Sequence, residues 1–258
     1  MEEFSQLYEA RVNLPLEVDA FPNTITRAKV RSLARLPISL ISMGIQSGSR
    51  DTLENVYMRP TPIEKVVEGI NALADQKIRA EYHYLVNDPF ESDRNRIETL
   101  RFAATHHRGP AILRIFPLQF YPGTPLCDRA RAEGLIGDRH ESAYEFTYTG
   151  RTRILDSGYL DIWLRVVLNL RNVAIPRSAV HGLISVVTHP VVRWALDRKW
   201  FAPLAYGAYS VGRFIARKLI YQPFIRPFRY LRRKPRYEEV HPQDEASLPR
   251  NPVQPAQV

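Results

Sequence analysis

Between Leu14 and Ile136 the chain alternates four times between a strand-like run and a helix-like run, and this alternation restricts the fold more than any other feature. The strand-like runs are Leu14–Ala20 (LPLEVDA), Ile38–Gln46 (ISLISMGIQ), Arg79–Val86 (RAEYHYLV) and Ala111–Tyr121 (AILRIFPLQFY). The second is almost continuously apolar, the pattern of a parallel strand covered on both faces. Helical patterns sit between them. Thr26–Leu36 opens on a capping threonine and stops before Pro37. In Pro62–Gln76, residues Ile63, Val66, Val67, Ile70, Leu73 and Ala74 share one helical face, with Pro62 suited to the first turn and Thr61 to the cap. Glu91–His107 and Pro125–Glu133 follow, the latter stopped by Gly134. Strands that alternate with helices build parallel βα units. The expected class is α/β, and four such units fit either part of a (β/α) barrel or an open parallel sheet.

After Ile136 the pattern changes. Residues 137–160 are polar and aromatic without a clear period, Tyr159–Val173 and Arg177–Thr188 read as helices, and prolines recur from Pro223 onward. The expected division is a βα domain over 1–136, a mainly helical basic C-terminal extension over 137–234, and a disordered Pro-rich tail over 235–258. The formal net charge of +9 is concentrated. Residues 1–192 hold 23 Lys/Arg against 22 Asp/Glu, whereas 193–236 hold 12 against the single acid Asp197. The only cysteine, Cys127, excludes an internal disulfide and a four-cysteine zinc site, and fits a reducing compartment. The acidic opening MEEFSQLYEA is no secretory signal, and no apolar run reaches membrane-spanning length. The expected location is the cytoplasm.

Ligands of parallel βα folds bind beyond the carboxyl ends of the strands, so chemistry-bearing residues are expected at the strand ends. Glu17 and Asp19 share a face of the first strand by the period of two. There a carboxylate either pairs with a ligand amino group or lies on a solvated face. Gln46, Ser47 and Ser49 end the second strand, with Gly48 allowing close backbone approach. These small polar groups suit ribose hydroxyls, although Ser49 equally suits the cap of a short helix over Arg50–Tyr57. Asn87-Asp88-Pro89-Phe90-Glu91 is a turn with two acids, and Glu91 can also serve as a helix-start acid. His83 on the third strand reads as a packed ring. Gln119 offers a hydrogen-bonding group on an apolar wall at the fourth strand end, suited to a flat base or to plain core packing.

The pieces SMGIQSGS, VYMRP, NDPFES and FPLQFYPGTPL with its helix ending in AEGLI together resemble strands three to six of a radical S-adenosylmethionine (radical SAM) barrel, of the kind found behind cobalamin-binding domains. The resemblance covers a little under half of the chain. It implies a partial (β/α) barrel and SAM as cofactor. By position it implies Asp19 for the SAM amino group, Gln46 and Ser47 for the ribose, Arg59 for the carboxylate, Asn87–Glu91 for the turn that usually reads Gly-x-Pro-x-Glu, and Gln119 with Tyr121–Thr124 near adenine. Asn87 departs from that pattern by replacing the glycine. In the full-length family a [4Fe–4S] cluster on a Cys-x₃-Cys-x₂-Cys loop reductively cleaves SAM to methionine and a 5′-deoxyadenosyl radical. A cluster needs thiolate ligands, and this chain offers one cysteine. The resemblance therefore implies a truncated radical SAM enzyme, inactive alone, whose first strands come from a missing N-terminal segment or another chain. Cobalamin is a possible cofactor only of the full-length form. The alternative is a non-catalytic subunit or membrane-surface adaptor on a half-barrel scaffold.

Residues 193–236 interleave aromatic and cationic side chains. Three readings are open: a solvated helical appendage, an interfacial segment on anionic lipid, or a nucleic-acid contact. The run Phe201–Val211 favours lipid over nucleic acid.

Overall fold

The computed structural model describes residues 2–108, 111–137, 157–172 and 175–215. The elements run α1 (Glu2–Arg11), β1 (Leu16–Ala20), α2 (Arg27–Leu33), β2 (Ile38–Gln46), α3 (Ile63–Asp75), β3 (Ala80–Val86), α4 (Asp93–His106), β4 (Ile112–Pro117) and α5 (Pro125–Ala132), followed by α6 (Tyr159–Asn172), α7 (Arg177–Val187), α8 (Pro190–Leu196) and α9 (Phe201–Ile215). The four strands form one parallel sheet in the order β1-β2-β3-β4. This is the consecutive βα connectivity of part of a (β/α) barrel, with a helical C-terminal portion after it. Compact packing divides the chain into Met1–Tyr206 and Gly207–Val258. Of the second unit only the end of α9 is described, and the Pro-rich tail lies outside the described residues.

Strand parity decides the core. Val18 and Ala20 stand opposite Ile41 and Met43, Ala80 and Tyr82 continue that row, and Leu113 and Ile115 follow on β4. These side chains pack in one cluster with Val66, Ile70 and Leu73 of α3, Leu100 and Ala103 of α4, and Leu164 and Leu168 of α6. Burial of each large member contributes roughly 1.5–3 kcal/mol. The opposite parity, Glu17, Asp19, Ser42, Glu81, His83 and Arg114, forms the other face. The both-faces covering expected for Ile38–Gln46 is therefore corrected. Its burial alternates, with Ile41, Met43 and Ile45 sealed and their neighbours half-buried, because among the described residues the core helices pack on one face alone. An apolar run marks what a strand tolerates rather than how many layers cover it.

The break expected at residue 136 does not divide the packing either. Helices α6 and α7 lie on α4 and place Tyr159, Leu160, Val167, Val180 and Ile184 in the same core as the sheet. Their apolar stripes need a partner, and the outer flank of α4 supplies it. Residues 138–156, which carried the change of composition, lie outside the described residues.

Local signals set most helix starts. Lys29 N–H donates to Thr26 Oγ1 at 3.3 Å, Asn95 N–H to Ser92 Oγ at 3.2 Å, and Cys127 N–H to Thr124 Oγ1 at 3.3 Å. At α3 the expected cap is not used: Pro62 holds the N-cap position and no side chain caps it. Gly48 is required by close approach rather than by a turn. A Cβ there would lie 2.4 Å from Phe102 Cβ and 2.7 Å from its Cγ, which are the rigid base of a buried ring on α4. Gly48→Ala should therefore lower stability by about 1–3 kcal/mol in denaturant unfolding, whereas Gly137→Ala, with open space around it, should leave it within about 0.5 kcal/mol.

Candidate functional site

Two polar assemblies lie near the strand ends, one on each side of the sheet. The first arises where the chain leaves β2 and β3 through left-handed residues, Gln46 with φ 68° and Asn87 with φ 58°; the second lies along the strands themselves. Asparagine tolerates this region better than most residues, so Asn87 takes the backbone shape that a glycine would supply. At Gln46 the pairing register with β3 shifts, and its side chain folds back along the strand. A Cβ on Gly44 would lie 2.4 Å from Gln46 Nε2. The Gln46 amide thus rests on the open face of the sheet, in the space that Gly44 leaves.

Ser47 turns the other way, into the layer between the sheet and α4. Its hydroxyl donates to Glu91 Oε1 at 3.1 Å and lies 2.9 Å from Thr99 Oγ1. Its oxygen accepts from Ser49 N–H at 3.1 Å, and Gly48 N–H donates to Thr99 Oγ1 at 3.0 Å. Ser49 does not act as a helix cap; its hydroxyl donates to Glu98 Oε2 at 2.8 Å. The segment it precedes contains a π-helical turn, Thr52–Val56, from which the Thr52 hydroxyl donates to Glu91 Oε1 at 2.9 Å. The loop after β2 is thereby fastened to the loop after β3.

Glu91 is one of three buried carboxylates there, with Asp88 and Asp161. Asp161 comes from α6 and accepts from Asn87 N–H at 2.9 Å. Asp88 accepts from Phe90 N–H at 2.8 Å. Arg96 of α4 donates to the Asp88 carbonyl. Its Nε stands 3.8 Å from Glu91 Oε2 and 3.9 Å from Asp161 Oδ1, ion-pair distances without a direct hydrogen bond. Burial raises the proton affinity of all three acids. For Glu91 it outweighs the hydrogen bonds from Thr52 and Ser47, and the value rises from 4.5 to about 7. Burial and the neighbouring Asp88 and Glu91 likewise push the Tyr57 phenol upward. This assembly locks the loops after β2 and β3 together.

The open face carries the second assembly. Glu81 Oε1 lies 2.8 Å from His83 Nε2, and Arg114 Nε donates to Glu81 Oε2 at 3.2 Å. Burial pushes the Glu81 carboxyl up, but the bonds to His83 and Arg114 more than offset it, leaving it below the ordinary value. The His83 ring meets Phe116 edge-on at 5.2 Å. Asp19 is on this face, exposed and in register with Ser42.

The residues singled out from the sequence thus fall into groups. Asp19 and Gln46 share the open face, while Ser47 and Glu91 meet on the α4 side and are buried. Asn87 joins the buried side through its backbone N–H, which donates to Asp161. Arg59 is exposed, with its guanidinium 5.9 Å from the centre of the Phe21 ring, just past the end of β1. Gln119 lies in the loop after β4 and accepts from the Tyr121 hydroxyl at 2.9 Å. These strand-end residues lie on two sides of one sheet, because the left-handed turn at Gln46 sends consecutive side chains apart. Asp161, Arg96 and Thr99 escaped notice. Asp161 is spaced three and seven residues from Leu164 and Leu168, so it stands on the apolar face of α6, and that placement of an acid was the available signal. Among the described residues no group of three or more His, Cys, Asp or Glu is arranged to hold a metal ion. No helix among them is long and apolar enough to cross a membrane.

No protein-family model matches the chain. No curated protein matches it either. Among solved structures it is similar to the radical S-adenosylmethionine methyltransferase TsrM from Kitasatospora setae with cobalamin and [4Fe-4S] cluster bound, at 14% identity and a TM-score of 0.43. The likeness covers 51% of this chain and 26% of TsrM, so the chain spans about a quarter of that neighbour.

The raised affinity of Glu91 has a defined sign. A carboxyl that is protonated more readily when folded adds stability in full below its unfolded value of 4.5 and loses it as pH rises through about 7. Stability should therefore fall by on the order of 3 kcal/mol between pH 4.5 and pH 8 from this group, with Asp88 and Asp161 acting in the same direction. Glu91→Gln should flatten that part of the profile in urea titrations. A wild-type profile that rises across the interval would contradict the assignment.

Proposed function

We infer that the chain contributes the later part of a SAM-binding (β/α) barrel, as in radical SAM enzymes. The observation that carries this reading is the polar, open face of a four-stranded parallel sheet whose core helices all pack on the other side. In a closed barrel that face lines the interior, and here it displays Asp19 and Gln46 toward the carboxyl ends of β1 and β2. The donor set suits SAM: the exposed Asp19 carboxylate can pair with an ammonium, the Gln46 amide can meet ribose hydroxyls, and Arg59 stands past β1 for a carboxylate. Gln119 beyond β4 can hydrogen-bond an adenine edge. Ser47, Asn87 and Glu91 act one step back, by fixing the loop that presents Gln46.

The residues do not fit an iron–sulfur cluster. Cys127 is fully buried on α5, and a cluster needs several thiolates. The electron that starts radical chemistry would have to come from iron held by residues other than these, supplied by a longer form of the protein or by a partner chain. Cobalamin use would likewise rest with other residues. The same buried cysteine favours a second reading, a scaffold subunit that binds without catalysing.

SAM binding is the direct test. Saturation-transfer NMR at about 1 mM SAM should show transfer to the adenine and ribose protons, consistent with a weak site. Asp19→Asn and Gln46→Ala should each weaken it about tenfold. Absence of transfer, or transfer untouched by both substitutions, would remove this reading. Anaerobic iron–sulfur reconstitution of a longer reading frame containing the chain would then separate enzyme from scaffold.

A further inference from the structure

The geometry points to a lipid-contact surface on the segment from Val186 to Leu204, built to rest on an anionic bilayer. Thirteen large apolar side chains among the described residues are conspicuously exposed, and five of them fall in this stretch: Val186, Val191, Trp194, Trp200 and Leu204. Isolated exposed apolar residues are ordinary, but a local concentration marks an interaction surface. Trp194, at 72% exposure, is the most exposed of all thirteen.

The fold holds these side chains outward. On α8, Val191 and Trp194 are three residues apart and share a helical face. Arg193, next to them, is drawn to the protein side by Asp93 of α4 at 2.7 Å and by Asp197 at 3.5 Å. At the start of α9, Phe201 is the anchor. It packs on Tyr159 at 5.0 Å and on Trp163 at 6.3 Å between ring centres. Trp200 and Leu204, four residues apart, stay exposed. The outward display is therefore a consequence of ion pairs and ring packing on the inward side.

Charge selects the partner. Asp197, the nearest acid, is engaged by Arg193. Arg198 and Lys199 are exposed between the two tryptophans, and the Arg198 guanidinium lies 5.3 Å from the centre of the Trp194 ring. Tryptophans with flanking cations suit the headgroup layer, where the ring sits at the boundary and the cation meets lipid phosphate. The aliphatic members Val186, Val191 and Leu204 have nothing to stack on a base, which weighs against nucleic acid. By composition the segment 193–236 carries twelve cations and one acid, a balance that favours an anionic partner. This inference does not depend on the SAM reading.

Co-sedimentation of the full chain with phosphatidylcholine vesicles containing roughly 30% phosphatidylglycerol is the test. Binding is expected to these vesicles and not to pure phosphatidylcholine, with a blue shift of tryptophan emission. The double variant Trp194→Ala/Trp200→Ala removes only exposed rings and leaves Trp163 as an internal reporter of folding. It should bind about tenfold or more weakly. Wild-type binding to neither vesicle, or equal binding by the double variant, overturns the proposal. So does a wild-type dimer that the double variant abolishes with no vesicle binding by either form, which would assign the surface to a second copy. A gel shift with single-stranded oligonucleotide in the absence of vesicle binding would also overturn it.

Discussion

The one-sided covering of the sheet is the constraint on which the rest depends. A parallel sheet gains its stability by burying alternate side chains, and here a single parity, from Val18 and Ala20 through Ile41, Met43, Tyr82 and Tyr84 to Ile115, meets the helices. That frees the other parity to carry Asp19, Ser42, Glu81, His83 and Arg114, which would be costly in a two-sided core.

Holding four strands against one helix layer requires the loops at their carboxyl ends to be fixed, and the buried acids do this. Glu91 receives hydroxyls from the loop after β2 and the π-helical turn, Asp161 brings in α6, and Arg96 stands between them from α4. The cost of burying these three carboxylates appears as raised proton affinity, which Arg96 only partly offsets. These acids lie on the side of the sheet away from Asp19 and Gln46, so loop fastening and the exposed polar groups occupy different faces.

The helices after β4 serve two ends. Their inward faces complete the core over α4, and the outward side of α8 and the start of α9 presents tryptophans and cations. The same ion pair, Arg193 with Asp93, both attaches α8 and decides which side faces out.

Much of the fold was written in local pattern. Hydrophobic period, the capping Thr26, and the Pro and Gly stops placed the elements within a few residues, since these signals act over one turn of chain; the caps at Ser92 and Thr124 emerged only in the structure. The parallel class followed from alternation alone. What the sequence could not decide was which neighbours cover a strand. The run Ile38–Gln46 reads the same whether one or two layers pack on it, and α6 and α7 looked like an appendage because their partner α4 is distant in sequence. The site divides similarly. Residue types at strand ends named Asp19, Gln46, Ser47, Asn87 and Glu91 as chemistry-bearing, but their grouping was set by the left-handed turns at Gln46 and Asn87 and by Asp161 arriving from another helix. Local sequence sets period and caps; long-range packing alone decides which side chains are sealed and which stay open to solvent.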